Sequence, residues 1–208
     1  MVSAKEALSR LKEGNERFVT GAPREVPLSH ERRAALATEQ WPFAIVLGCS
    51  DSRVPAEVVF DQGLGDLFVI RVAGNIVAPS QVGSVEFAAA RFGTRLVVVL
   101  GHTQCGAILA TLEEVRNATG HLPNLMSIVD RIRPSVETLL ALGTAPNEQE
   151  LVRQAVRANV RASVDHLRHG SALLEELIDE GRLTVVGAEY SLETGRVDFF
   201  EEWSPSGA

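Results

Sequence analysis

Three residues in this chain could hold a metal ion together. The apolar run FAIVLG at 43–48 leads directly into Cys49-Ser50-Asp51-Ser52-Arg53, and LVVVLG at 96–101 leads into His102-Thr103-Gln104-Cys105-Gly106. Two thiolates and one imidazole are favoured zinc ligands, and three protein ligands with the fourth position free are the arrangement of a catalytic site rather than a structural one. The chain has only 2 cysteines, so no third thiol exists to close a structural set; the remaining histidines are His30, His121, His166 and His169. Plainer readings exist for each residue alone. A cysteine is often a small buried hydrophobe, His102 could be a hydrogen-bonded core residue, and the two thiols could pair or serve as a redox dithiol. Their convergence at two strand exits favours the ligand reading.

Asp51 and Arg53 add to it. An acid–base pair two residues apart is commonly a surface ion pair of small energetic weight. Here it stands two residues from a candidate ligand, where a free carboxylate could itself bind metal. A paired hydrogen bond from Arg53 would hold Asp51 off the metal and leave it able to accept a hydrogen bond from a metal-activated water.

The elements that must position these residues can be read from the pattern around them. Four short apolar runs, Phe43–Leu47, Leu67–Val72, Leu96–Leu100 and Leu183–Gly187, are rich in Val, Ile, Leu or Phe and lack alternation. That is expected of strands buried on both faces. Helical patterns separate them, around 80–92, 106–118, 124–141 and 147–168. Strands alternating with helices predict an α/β fold: a mostly parallel central sheet of four strands with helices on both faces. The segment Tyr190–Phe200, containing ETGRVDFF, reads as a turn into an antiparallel edge strand. In open parallel sheets ligands sit beyond the carboxyl ends of strands, where Cys49, His102 and Cys105 all fall.

The pattern predicts an N-terminal helical arm, residues 1–40, followed over 41–208 by an α/β domain expected to be the zinc-binding catalytic one. Residues 3–20 read as a helix with Leu8, Leu11, Asn15 and Phe18 on one narrow stripe. Such a helix must dock, on its own subunit or on a partner. GAPREVPLS reads as a linker, and Ser29 caps a short helix through Thr38, with Arg32 where a capping box would place Glu or Gln.

Composition bounds what the chain can do. Its 208 residues suit one domain, and 45% hydrophobic residues exclude a disordered chain. With Lys+Arg 20 against Asp+Glu 27, the net charge of −7 argues against a protein built to coat nucleic acid or anionic membrane. Neither a secretory leader nor a membrane span is apparent, so a cytoplasmic protein with reduced thiols is expected. Arg153, Arg157 and Arg161 form a basic stripe at 147–168, beside an apolar seam of Val152, Val156, Val160, Val164 and Leu167. Acidic neighbours at 148, 150 and 165 favour a solvated or inter-subunit face over nucleic-acid contact. GLGD at 63–66 is a poor nucleotide fingerprint, because it precedes a strand and lacks the third glycine.

Taken with VPAEVVFDQGLGDLFVIRVAGN, GSVEFAAA and GHTQCGA, the CSDSR segment resembles the beta-class carbonic anhydrases. The resemblance extends to LKEGNERFV near the start and VGAEYSLETGRV near the end. It implies zinc-dependent reversible hydration of carbon dioxide to bicarbonate and a proton, by attack of zinc-held hydroxide. Cys49, His102 and Cys105 would be the metal ligands, and Asp51 and Arg53 the catalytic dyad. A closed state with Asp51 on the zinc is also implied.

By the same resemblance, Gln40, Phe68, Phe87 and Gly106 would bind substrate. Homo-oligomers, dimers or tetramers, would carry active sites at the subunit interface, with the N-terminal helix laid over the neighbour. Some bacterial members build an inhibitory bicarbonate pocket from a Trp, an Arg and a Tyr; Arg71 and Tyr190 match two of these, but Val46 stands at the Trp position. A carbonyl sulfide or carbon disulfide hydrolase on the same scaffold would share every ligand. Asp51, Arg53 and Gln40 count against a non-catalytic zinc-binding regulatory module.

Overall fold

Helix α1 spans Ala4–Thr20, begun by the Ser3 hydroxyl, which accepts from the Glu6 amide at 3.1 Å, and ended by Gly21 in the left-handed conformation. The computed structural model describes residues 2–24, 29–117 and 123–200, so His121 lies outside it. The buried face of α1 is Ala7, Leu11, Gly14 and Asn15, while Leu8 and Phe18 lie at its half-buried margins. Gly14 is there because nothing larger fits: a Cβ would sit 1.8 Å from the Phe60 carbonyl oxygen. Asn15 explains itself by its bonds, donating to the Val59 and Gly195 carbonyls at 3.1 and 2.8 Å and accepting from the Val197 amide at 2.9 Å. The helix thus docks on its own subunit.

A five-stranded sheet follows, with strands β1 (Ala44–Gly48), β2 (Leu67–Arg71), β3 (Leu96–His102), β4 (Thr184–Tyr190) and β5 (Val197–Phe199). Their spatial order is β2-β1-β3-β4-β5. All neighbours are parallel except β4 and β5, which pair antiparallel. The expected four parallel strands with an antiparallel edge are therefore present. Helices α3 (Ala56–Val59), α4 (Pro79–Phe92), α5 (Gly106–Asn117), α6 (Met126–Leu142), α7 (Glu148–His169) and α8 (Ala172–Asp179) cover it, and α2 (His30–Ala35) precedes it.

Successive strand residues alternate between two cores. Ile45, Leu47, Val97, Val99 and Val185 pack with Val85 of α4, Val160, Val164 and Leu167 of α7, and Leu174 of α8. Ala44, Val46, Val98, Leu100 and Val186 pack with Ala7 and Leu11 of α1 and with Val59 and Phe60. Each fully buried Leu or Val of this kind contributes about 1.5–3 kcal/mol relative to exposure. Both faces of β1 and β3 are buried throughout.

β2 departs from expectation. It lies at the sheet edge with Phe68 and Val69 half-buried and Arg71 exposed, because only β1 flanks it. α2 also ends at Ala35, three residues short of the expected Thr38. α3, α8 and a 3₁₀ turn at Ala73–Asn75 were not anticipated from the sequence. Among the described residues no helix is long and apolar enough to cross a membrane.

The basic stripe of α7 is used within the chain. Arg153 pairs with Glu150 at 2.7 Å, and Arg157 pairs with Asp198 and lies 3.6 Å from Glu189. The Arg157 and Arg161 guanidinium groups lie 4.1 and 5.2 Å from the Phe200 ring centre. The Arg157 and Arg161 contacts, to Asp198 and Phe200, fasten β5 and the residue after it to α7.

Candidate metal centre

β1 and β3 are neighbours, so their carboxyl ends deliver their next residues to one place. Cys49 follows β1, His102 closes β3, and Cys105 immediately precedes α5. The ligand atoms of Cys49, His102 and Cys105 all lie within 4.8 Å of one another, and all three residues are buried. The His-x-x-Cys spacing works because Gln104 takes the left-handed conformation, φ 56°, and folds Cys105 back toward His102.

His102 is 0% exposed, and its Nδ1 lies 2.9 Å from the Thr103 carbonyl oxygen. A carbonyl can only accept, so Nδ1 carries the proton and the Nε2 lone pair faces the thiols. Among the described residues Nε2, which is buried, has no hydrogen-bond partner. Such an orphan is costly unless something binds there.

The thiols divide one proton unequally. The hydrogen bond from Cys105 pulls the Cys49 thiol down to about 4 against the opposing effect of burial, helped by His102 and the Gly74 amide. Cys105, as donor to that thiolate and itself buried, is pushed up. Burial disfavours a charged His102, but the adjacent Cys49 thiolate outweighs it and raises its pKa. A nitrogen lone pair without a partner, a thiolate and a second thiol fit a zinc ion, whose binding would take up the lone pair and both sulfurs.

Asp51 stands beside this cluster, its Oδ2 3.8 Å from His102 Nε2. Arg53 grips it through Nε to Oδ1 and Nη2 to Oδ2, and the Arg53 amide also donates to Oδ1 at 3.0 Å. The Arg53 side-chain hydrogen bonds hold the Asp51 carboxyl far below the usual carboxylate range. Arg71 supports the loop from below, donating to the Cys49 carbonyl at 3.1 Å and the Asp51 carbonyl at 2.6 Å. Tyr190 is buried against Phe18, with ring centres 6.4 Å apart, and Val46 is wholly inside β1. Gly106 starts α5 next to Cys105 and is exposed.

The other expected substrate residues lie elsewhere on the subunit. Gln40 lines a groove of about 720 Å³ with Leu36, Trp41, Leu64 and Phe92, and none of the Cys49, His102 and Cys105 set lines it. Phe68 and Phe87 join Phe92 in a ring cluster, with centres 5.6 to 6.1 Å apart. Trp41 is 66% exposed and Phe87 53%.

Two residues escaped the sequence reading. Asn159 and Ser163 lie buried on α7 within the face that the valine seam marks as apolar. Polar residues at seam positions are the signal that could have found them. Asn159 bonds to Gly74 and Ser163 to Asn75, in the turn that touches Cys49.

A model of the carbonic anhydrase family matches residues 44–197. Carbonic anhydrase 2 of Mycobacterium tuberculosis is 41% identical over 190 residues, covering 91% of this chain and 89% of its own. A beta-carbonic anhydrase of Aspergillus fumigatus has a similar structure, with 27% identity and a TM-score of 0.75 over 97% of this chain and 92% of its own. A tetrameric beta-carbonic anhydrase of Sordaria macrospora gives 27% identity and a TM-score of 0.73, covering 80% and 84%. The extent of these matches, over the same strands that deliver the Cys–His–Cys cluster, makes this chain a member of the beta-class carbonic anhydrase family.

Proposed function

We propose that the enzyme hydrates carbon dioxide reversibly to bicarbonate and a proton, at a zinc ion held by Cys49, His102 and Cys105. The observation that carries this reading is the buried, unpartnered His102 Nε2 facing two thiols and the Asp51 carboxylate. When bound, zinc supplies Lewis acidity that lowers the pKa of a water molecule to about 7 and makes it nucleophilic at neutral pH.

The chain's own residues do the rest. Asp51, ionised by its pairing with Arg53, accepts a hydrogen bond from the attacking water and orients it. Arg53 fixes Asp51 by its two-pronged grip and keeps the carboxylate from swinging onto the metal. The Gly106 amide, at the start of α5, donates to the substrate oxygen on which negative charge develops. Phe68 and Phe87 provide apolar surface for carbon dioxide, and Gln40 donates to a substrate oxygen.

The separation of Gln40, Phe68 and Phe87 from the metal cluster is accounted for by a homo-oligomer, dimer or tetramer, in which a second copy brings them to the site. The exposed Trp41, Leu64 and Phe87 around the groove favour that arrangement. Within it, the arm of residues 1–40 packs on the partner through surfaces other than the face of α1 that its own subunit buries.

The test is stopped-flow carbon dioxide hydration by the zinc-loaded protein between about pH 6.5 and about pH 9. Hydration far above the buffer rate, rising with pH through the water's pKa, is expected. No rate above buffer at any pH overturns the reading.

A further inference from the structure

The turn at Ala73–Asn75 contains two consecutive left-handed residues, Gly74 at φ 69° and Asn75 at φ 44°. It meets the metal cluster through the Gly74 amide, which donates to Cys49 Sγ at 3.3 Å. A glycine has no side chain to restrain its torsions. One added here would be strained at φ 69° and would crowd Ile132 Cδ1 at 2.8 Å and Ala107 Cβ at 3.0 Å. The turn closes on itself through the Asn75 amide, which donates to the Val72 carbonyl at 3.0 Å, and any further hold on its backbone comes from outside.

α7 supplies the grip. Asn159 Nδ2 donates to the Gly74 carbonyl at 2.7 Å, and Ser163 Oγ donates to the Asn75 carbonyl at 3.0 Å. These bonds fix the two peptide planes that follow the Gly74 amide. Both side chains are buried, 2% and 5% exposed, on a helix face otherwise filled by Val152, Val156, Val160 and Val164. An apolar residue would suffice for packing alone, and burying an amide there is costly unless its bonds are made.

We propose that Asn159, assisted by Ser163, is a positioning residue for the metal centre. It locks the 73–75 turn so that the Gly74 amide stays aimed at the Cys49 sulfur and sets that sulfur's donor strength toward the metal. Outer partners of this kind tune ligands they do not replace. The proposal rests on the reading of Cys49 as a metal ligand.

Cobalt-loaded full-length protein provides the test, since its sulfur-to-cobalt charge-transfer band reports the electron density on sulfur. In Asn159→Ala the band should move to lower energy, in Ser163→Ala it should move less in the same direction, and in the core control Val164→Ala it should stay put. Zinc affinity of Asn159→Ala, measured by chelator competition, should fall about 10–100-fold. A band unmoved in both polar variants overturns the proposal. If Asn159→Ala does not fold, the wild type loaded with NMR-active cadmium carries the test: the Gly74 amide proton should show scalar coupling to cadmium through the sulfur, and its absence overturns the proposal. Metal content that survives in the Cys49→Ser variant overturns the ligand reading itself, and the proposal with it, which separates the two failures.

Discussion

Arg53 holds both carboxylate oxygens of Asp51, Nε to Oδ1 at 2.9 Å and Nη2 to Oδ2 at 2.7 Å, while Oδ2 stands only 3.8 Å from His102 Nε2. The carboxylate is thus within a side-chain rotation of the metal cluster and is restrained by Arg53. Arg53→Ala should release it toward the metal and lower carbon dioxide hydration at about pH 7.5 by about 100-fold. Stopped-flow rates and X-ray absorption at the zinc edge would register the loss and an added oxygen ligand together. A variant with full activity at that pH would remove Asp51 and Arg53 from the mechanism.

Metal removal should be felt by the whole fold. Cys49 and His102 leave adjacent strands in the middle of the sheet, so an ion held between them stabilises only the folded chain. At free zinc about 1,000 times Kd, the loaded protein should be about 4 kcal/mol more stable than the chelated one. Thermal unfolding with and without chelator measures this, and Cys105→Ser should abolish most of the difference. An equal melting temperature in both conditions would show that the cluster holds no tightly bound ion.

Asp61 gives a pH-dependent prediction away from the site. Its carboxylate is buried, paired with Arg17 Nε at 2.5 Å and accepting from the Arg24 amide at 3.1 Å, and so ties the end of α1 to the loop after α3. Burial alone would raise its pKa, but the Arg17 and Arg24 bonds outweigh burial and lower it. A carboxylate with a depressed folded pKa adds stability that is complete above its unfolded value, near about 3.9, and is lost as the pH falls through the folded value. Asp61→Asn should therefore cost about 2 kcal/mol at neutral pH. The gap should narrow below about pH 4, as urea denaturation at both pH values would reveal. A gap independent of pH would mean that the loss is one of shape rather than of charge.

Much of this architecture was legible in the chain because burial on both faces writes an uninterrupted apolar run, as in β1 and β3. The same rule misled at β2, whose composition matches theirs although only one neighbour covers it; order within a sheet is not written in a strand's own residues. α3 and the turn at Ala73–Asn75, of 4 and 3 residues, are too short to show a helical period. The metal cluster was readable because residue types that bind zinc stood at strand exits. Asn159 and Ser163 show in the sequence only as polar residues within an apolar seam; what they bond is not written there, since their partners are backbone carbonyls 85 and 88 residues away.

Gln104 carries no ligand atom, yet its left-handed backbone determines whether His102 and Cys105 can face one point. Its side chain is turned outward and exposed, so solvent imposes little demand on its chemistry. Substitution at this position is governed by handedness instead. Gly, Asn and Asp can adopt the required φ, whereas Val, Ile and Thr would strain against it. A library randomised at position 104 alone should return a narrow set of functional residues sorted by backbone preference, with polarity and size nearly irrelevant. The spacer within the His-x-x-Cys segment is in that sense as restricted as the ligands it joins, though by steric tolerance rather than by affinity for a metal.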